Sequence, residues 1–241
     1  MPRVIGSENE KSLHRELKIL YAGRKGQTEV ELGGYVVDAV TAEGEIVEIQ
    51  TGSFLPLRRK AAWLAAAFGR FRVVYPIATV KYLEFFDPDS GTRETKKSPR
   101  RGSIWDVFNA LSRAPELPLI PGVELELALA EVAEERTRDG MGSRRYRGVS
   151  VGDRRLVVLC EGIRLRTPAD YLRFVPFERG EEFSAAMLAK RVGIRRPLAS
   201  RAVAALARLG VIERTGKSGR AFLYRLRATP RTGKWEPLKH P

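Results

Sequence analysis

Gly34-Tyr-Val-Val-Asp38-Ala-Val40, a turn through Thr41-Ala-Glu-Gly44, and Glu45-Ile-Val-Glu48-Ile-Gln50-Thr51 make up the stretch on which the reading of this chain turns. β-Branched residues on either side of a short polar connection predict two strands in a hairpin. Both segments are apolar on both faces, which predicts inner strands of a covered sheet. A hairpin centred near residue 43 sets Asp38 opposite Glu48, with their Cβ atoms roughly 5 Å apart. Gln50, two residues past Glu48, points to the same side. Two carboxylates that close repel each other, and an apolar setting makes their ionised forms costly unless a cation joins them. Mg²⁺ takes carboxylate oxygens and keeps some of its waters, so the pair is a candidate metal site. The alternative is an exposed hairpin carrying ordinary surface carboxylates.

Outward from this hairpin, residues 12–22 read as a helix with Leu13, Leu17 and Leu20 at helical spacing, broken by Gly23 and Gly26. His14 and Glu16 on that helix are within reach of the sheet. An alanine-rich helix is predicted over 54–68, with Leu57, Ala61, Leu64 and Phe68 on one face. Arg58, Arg59 and Lys60 fall in its first turns, where the helix dipole disfavours cations. Residues 71–77 and 80–86 read as two strands around Pro76, completing an α/β core of about 80 residues.

Residues 87–101 turn polar and basic and read as an exposed loop. A short helix is expected over 104–111. The alternation of Val123, Leu125, Leu127 and Leu129 suits a strand, with helix left open. Residues 154–166 read as its partner, across a connection containing Arg144, Arg145 and Arg147. The span 88–179 reads as an α+β extension and carries no assigned chemistry.

The last third is more explicit. Ser184 can cap a helix running to Val192, a turn follows over 193–196, and a second helix spans 197–209 before Gly210. Strands over 211–214 and 221–227 flank the connection from Thr215 to Arg220. Helix, tight turn, helix and hairpin make a winged helix-turn-helix over 180–228, with a basic tail at 229–241. Arg195, Arg196, Ser200, Arg201 and Arg208 lie off its apolar stripe, and Lys217 and Arg220 sit at the expected wing tip.

Charge placement points the same way. The net charge is +14, and residues 181–241 carry 14 Lys/Arg against 4 Asp/Glu. A positive field focused at one end of a chain suits a polyanion, DNA first. The competing use of such a module is protein docking. One cysteine, Cys160, excludes an intrachain disulfide framework and a Cys-rich zinc site. No run approaches the roughly 18 apolar residues of a membrane span, and the N-terminus lacks a signal-peptide core, so a cytoplasmic protein without a membrane partner is expected.

The order of Glu16 on an opening helix, Asp38 at the end of one strand and Glu48-Ile49-Gln50 on the next resembles the PD-(D/E)XK nuclease superfamily. The resemblance covers about residues 10–86, and residues 1–87 are expected to form a restriction-endonuclease-like αβββαβ core. It implies a deoxyribonuclease using Mg²⁺ or Mn²⁺, with Asp38 and Glu48 as ligands and Glu16 as the helix acid that completes the site. Gln50 occupies the lysine position, so Lys60, Arg59 or Arg58 would supply the missing cation. A neutral amide can hold a water but cannot deprotonate it, which leaves a catalytically silent DNA-binding scaffold as the alternative. Nucleases of this kind that cut both strands often pair as homodimers, though no residue here identifies an interface. The whole chain also resembles an uncharacterised bacterial family joining such a core to a C-terminal winged helix.

Overall fold

The computed structural model describes residues 11–228; the basic tail expected at 229–241, with His240, lies outside them. The elements run α1 (Ser12–Ala22), β1 (Gln27–Leu32), β2 (Tyr35–Val40), β3 (Ile46–Ile49), α2 (Leu57–Phe68), β4 (Phe71–Phe86), β5 (Arg93–Lys97), α3 (Val107–Leu111), β6 (Val123–Thr137), β7 (Ser150–Leu165), α4 (Ala185–Val192), α5 (Arg196–Arg208), β8 (Ile212–Ser218) and β9 (Ala221–Leu226). Seven strands form one sheet in the order β1-β2-β3-β4-β6-β7, with β5 on β4; β8 and β9 form a separate ribbon. The class is α/β. Among the described residues no helix is long and apolar enough to cross a membrane.

Two compact units divide the chain, and neither is continuous in sequence. The first takes residues 11–51, 76–103 and 128–163; the second takes 52–75, 104–127 and 164–228. This differs from the linear division at residues 87 and 179. Strands β4 and β6 are 16 and 15 residues long, and each belongs partly to one unit and partly to the other. Chain composition cannot mark a boundary that falls inside a strand.

In the first unit α1 packs on β2 and β3. Leu13 and Leu17 bury one turn apart, as do Val37, Ala39, Ile46 and Val47 on the strands beneath. Each fully buried aliphatic side chain of this size contributes roughly 1.5–3 kcal/mol. β1 and β2 join through Gly33-Gly34, whose φ angles of 54° and 82° make the two-residue turn that pairs Leu32 with Tyr35. All four residues of β3 are buried, as expected of an inner strand, whereas β2 keeps Val36 58% exposed. The expectation of two covered strands therefore holds for β3 alone.

Two further readings are revised, and one left open is resolved. The segments expected at 71–77 and 80–86 are a single strand, because an extended backbone accommodates the fixed φ of Pro76. The loop expected at 87–101 contains β5, antiparallel to β4 from Tyr82↔Lys97 to Phe86↔Arg93. Its five residues are all exposed and mostly charged, so no apolar alternation signals it. The open choice at 123–129 resolves as strand, extended to Thr137.

The second unit is centred on aromatic residues. Phe108 and Phe174 meet edge to face at 4.9 Å, Trp105 joins Phe174 at 5.2 Å, and Phe177 stacks on Phe183 at 4.1 Å. Ser184 caps α4 by accepting the Met187 amide at 3.3 Å, and Gly193, at φ 68°, ends that helix. α5 packs against α3, α4 and β8. Phe183 makes an isolated antiparallel bridge to Tyr224 of the ribbon. β8 continues to Ser218, and only Gly219-Arg220 turns the chain into β9. The six-residue connection expected at 215–220 is thus mostly strand, with an irregularity between Arg214 and Gly216 that absorbs the extra residue.

Candidate active site

Strands β2 and β3 pair through Ala39↔Val47 and Val40↔Ile46, a register that sets Asp38 opposite Glu48. Past this pairing the backbone amides turn from strand carbonyls to side chains. The Asp38 amide donates to Glu48 Oε1 at 3.3 Å, and the Ile49 amide donates to Asp38 Oδ2 at 2.7 Å. Glu48 is 2% exposed, whereas the Asp38 side chain keeps 18% of its surface. A carboxylate offers about four acceptor sites.

Helix α1 brings a third group to the pair. His14 Nε2 stands 3.0 Å from the Ile49 carbonyl oxygen and 3.3 Å from Asp38 Oδ2. One ring nitrogen therefore meets a backbone oxygen and a carboxylate oxygen together. One turn further on, buried Lys18 donates to Glu29 at 2.8 Å.

Glu16 is not part of this convergence. Its carboxylate accepts the Leu156 amide at 2.6 Å, and Asp153 likewise accepts the Ser12 amide at 3.0 Å. Leu156 lies on β7, the last strand in the sheet order, so Glu16 satisfies an amide of an edge strand. The geometry of a helix accounts for this. Residues two apart point about 200° away from each other, so His14 and Glu16 cannot face the same strand. The legible signal was the stripe of His14 and Lys18, four residues apart and flanking the buried Leu13 and Leu17.

Gln50 follows β3 directly and is half-buried. Lys60, on α2, is also half-buried and belongs to the second unit. Of its neighbours, Arg58 pairs with Glu116, and Arg59 is exposed.

Among the described residues no three His, Cys, Asp or Glu side chains form a ready metal cluster. Helix α1 and the hairpin do bring two carboxylates, an imidazole nitrogen and a backbone carbonyl near one another. Hard divalent cations accept oxygen donors of this kind, and transition ions also accept imidazole. For His14 Nε2 to ligate, the proton it donates to Ile49 in the present hydrogen bond must sit on Nδ1 instead.

The basic residues of the second unit divide into two groups. Arg196, Ser200, Ala204 and Arg208 lie along the exposed face of α5, opposite buried Ala199, Ala202, Val203 and Leu206. Arg195 precedes the helix and is exposed. Arg201 is exposed as well, but its Nη1 donates to Asn109 of α3 at 2.7 Å. Arg220 occupies the ribbon turn, whereas Lys217 is inside β8 rather than at the tip. Its Nζ lies 5.0 Å from the centre of the Phe222 ring, over which the Arg214 guanidinium also sits at 3.6 Å. Phe222 remains 40% exposed, making this strand pair both aromatic and basic.

Residues 11–166 match a family described as Domain of unknown function (DUF8091). The chain belongs to the DUF8091 family. The DUF8091 span contains His14, Asp38 and Glu48 and ends before α4. An uncharacterized protein from Treponema pallidum (strain Nichols) is 30% identical over 153 residues, which cover 64% of this chain and 61% of that relative. The chain thus spans less than two thirds of the length of the relative it matches. No solved structure matches it.

Proposed function

We propose that this DUF8091 protein binds DNA and hydrolyses phosphodiester bonds with the help of Mg²⁺ or Mn²⁺. The observation that carries the reading is the meeting of His14 Nε2, Asp38 Oδ2 and the Ile49 carbonyl beside Glu48. Asp38 and Glu48 would hold the cation, with His14 and the Ile49 carbonyl beside them. When bound, the cation supplies Lewis-acid polarisation of the phosphate and of the attacking water. Gln50 holds and orients that water through its amide. The element order α1-β1-β2-β3-α2-β4 supports the PD-(D/E)XK reading of this core.

In this reading α4, α5 and the β8–β9 ribbon act as a winged helix-turn-helix. The centre of the exposed α5 face is small, with Ser200 and Ala204 between Arg196 and Arg208. Small side chains let a helix approach a groove closely while arginines at its ends reach phosphates. Arg214, Lys217 and Phe222 present a second basic and aromatic surface suited to the neighbouring backbone.

A second reading, a DNA-binding scaffold without turnover, has its own support. Gln50 stands where the superfamily carries lysine, and backbone amides already satisfy part of Asp38 and Glu48. Incubating the full chain with supercoiled and linear DNA in Mg²⁺ or Mn²⁺ separates the two. Metal-dependent cutting supports the first, and salt-sensitive binding without cutting supports the second.

A further inference from the structure

A second cluster of charge lies in the first unit, remote in sequence from the hairpin. Glu134 of β6 is 2% exposed and holds three cations at once. Its Oε1 accepts from Arg136 Nη2. Its Oε2 accepts from Lys81 Nζ at 3.0 Å and from Arg154 Nη2 and Nε at 2.6 and 3.2 Å. One carboxylate cannot neutralise three cations. Arg100, on the segment after β5, joins them at a cavity of about 390 Å³ whose lining includes no acid besides Glu134. The lining therefore carries four positive charges and one negative charge.

Arg136 shows how firmly this charge is built in. Its side chain is only 10% exposed, its guanidinium lies 4.5 Å from the centre of the Tyr146 ring, and its Nε–H has no partner among the described residues. A guanidinium this enclosed, beside two further cations and one shared carboxylate, is costly without additional negative charge. The remaining wall is apolar, formed chiefly by Leu83, Phe85, Val149 and Val151. Ser98 adds a buried hydroxyl at the rim; its Oγ accepts the Arg100 amide, and the hydroxyl hydrogen can be donated.

We propose that this cavity binds a phosphorylated small molecule of the nucleotide class. The phosphoryl group sits among Lys81, Arg100, Arg136 and Arg154, and the organic part lies on the apolar wall. Three surplus positive charges match a phosphate dianion better than a single carboxylate, and arginine forks match the spacing of phosphoryl oxygens. The volume falls within the range of small-molecule sites, far more than an inorganic ion needs. This site is independent of the hydrolytic reading, since none of its residues belongs to the β2–β3 hairpin or to α1.

Calorimetry on the full chain with AMP, inorganic phosphate and adenosine tests the proposal. AMP is expected to bind, with phosphate at least about tenfold weaker and adenosine weaker still. Lys81→Gln and Arg100→Ala are each expected to lower AMP affinity at least about tenfold. Arg100 makes no contact with Glu134, so Arg100→Ala keeps the test valid if loss of Lys81 disturbs the fold. The proposal is overturned if neither AMP nor phosphate binds, if adenosine binds as tightly as AMP, or if a folded Arg100→Ala variant binds AMP as the wild type does.

Discussion

Asp38 and Glu48 each take a backbone amide from the other's strand, at 3.3 Å to Glu48 and, through Ile49, at 2.7 Å to Asp38. The carboxylates therefore end the ladder between β2 and β3 and act as its last acceptors. They tie the two strands together at the point where the proposed chemistry takes place. Changing either residue touches both the local fold and the proposed reaction, so a conservative substitution is needed to separate the two.

Asp38→Asn is that substitution, because the amide oxygen still accepts the Ile49 amide. The expected result is loss of metal-dependent cleavage by about 100-fold or more, with duplex affinity unchanged within about twofold. Gel cleavage and fluorescence anisotropy on the same preparation check it. Cleavage persisting in Asp38→Asn would remove the residue from the site.

His14 and Glu16 are expected to behave oppositely despite being two residues apart. His14→Ala should lower activity or metal affinity about 10- to 100-fold. Glu16→Ala should leave cleavage largely intact but cost about 1–3 kcal/mol of stability, because the Leu156 amide loses a charged acceptor. Urea denaturation beside a cleavage assay reads both. A silent His14→Ala variant with an inactive, stable Glu16→Ala variant would reverse the assignment.

Arg196 and Arg208 should each reduce the slope of log affinity against log salt by about one when changed to alanine. Arg201→Ala should change that slope little, since its guanidinium is held on Asn109. Titrations of duplex DNA at several salt concentrations distinguish the three. Equal slopes in all of them would instead favour protein docking by this module.

Burial pushes the Glu134 carboxyl upward, but hydrogen bonds from Arg154 and Lys81 outweigh it and hold it at about 2, below the ordinary 4.5. A lowered folded-state value gives stability that is present above the unfolded value and is lost as pH falls from about 4.5 towards 2. The contribution is on the order of 3 kcal/mol at neutral pH. Glu134→Gln should be less stable by a similar amount at pH 7, with the gap to wild type closing in acid. A gap that stays constant with pH would show that the carboxylate charge is not what stabilises the cluster.

Local pattern carried a large part of this architecture. Helix α1 matches its predicted bounds because Leu13 and Leu17 repeat at helical spacing and Gly23 stops the chain. The Asp38–Glu48 register was legible because a short turn fixes which residues oppose each other. Strand β5 was not, since a strand with every residue exposed leaves no apolar trace. Glu16 was assigned by its place in a motif, whereas the angular separation from His14 decides which of the two reaches Asp38. The Glu134 cluster joins residues from three strands, and no local spacing brings Lys81, Glu134 and Arg154 together.

The bonds from Ser12 to Asp153 and from Glu16 to Leu156 link positions 141 and 140 residues apart. During synthesis the helix carrying His14 emerges long before the strand that anchors it. Closing such distant contacts is a late step in folding. A fragment ending after β4 would contain the hairpin carboxylates but lack the tether that secures their helix. The proposed hydrolytic centre thus gains its full support only once β7 has been made.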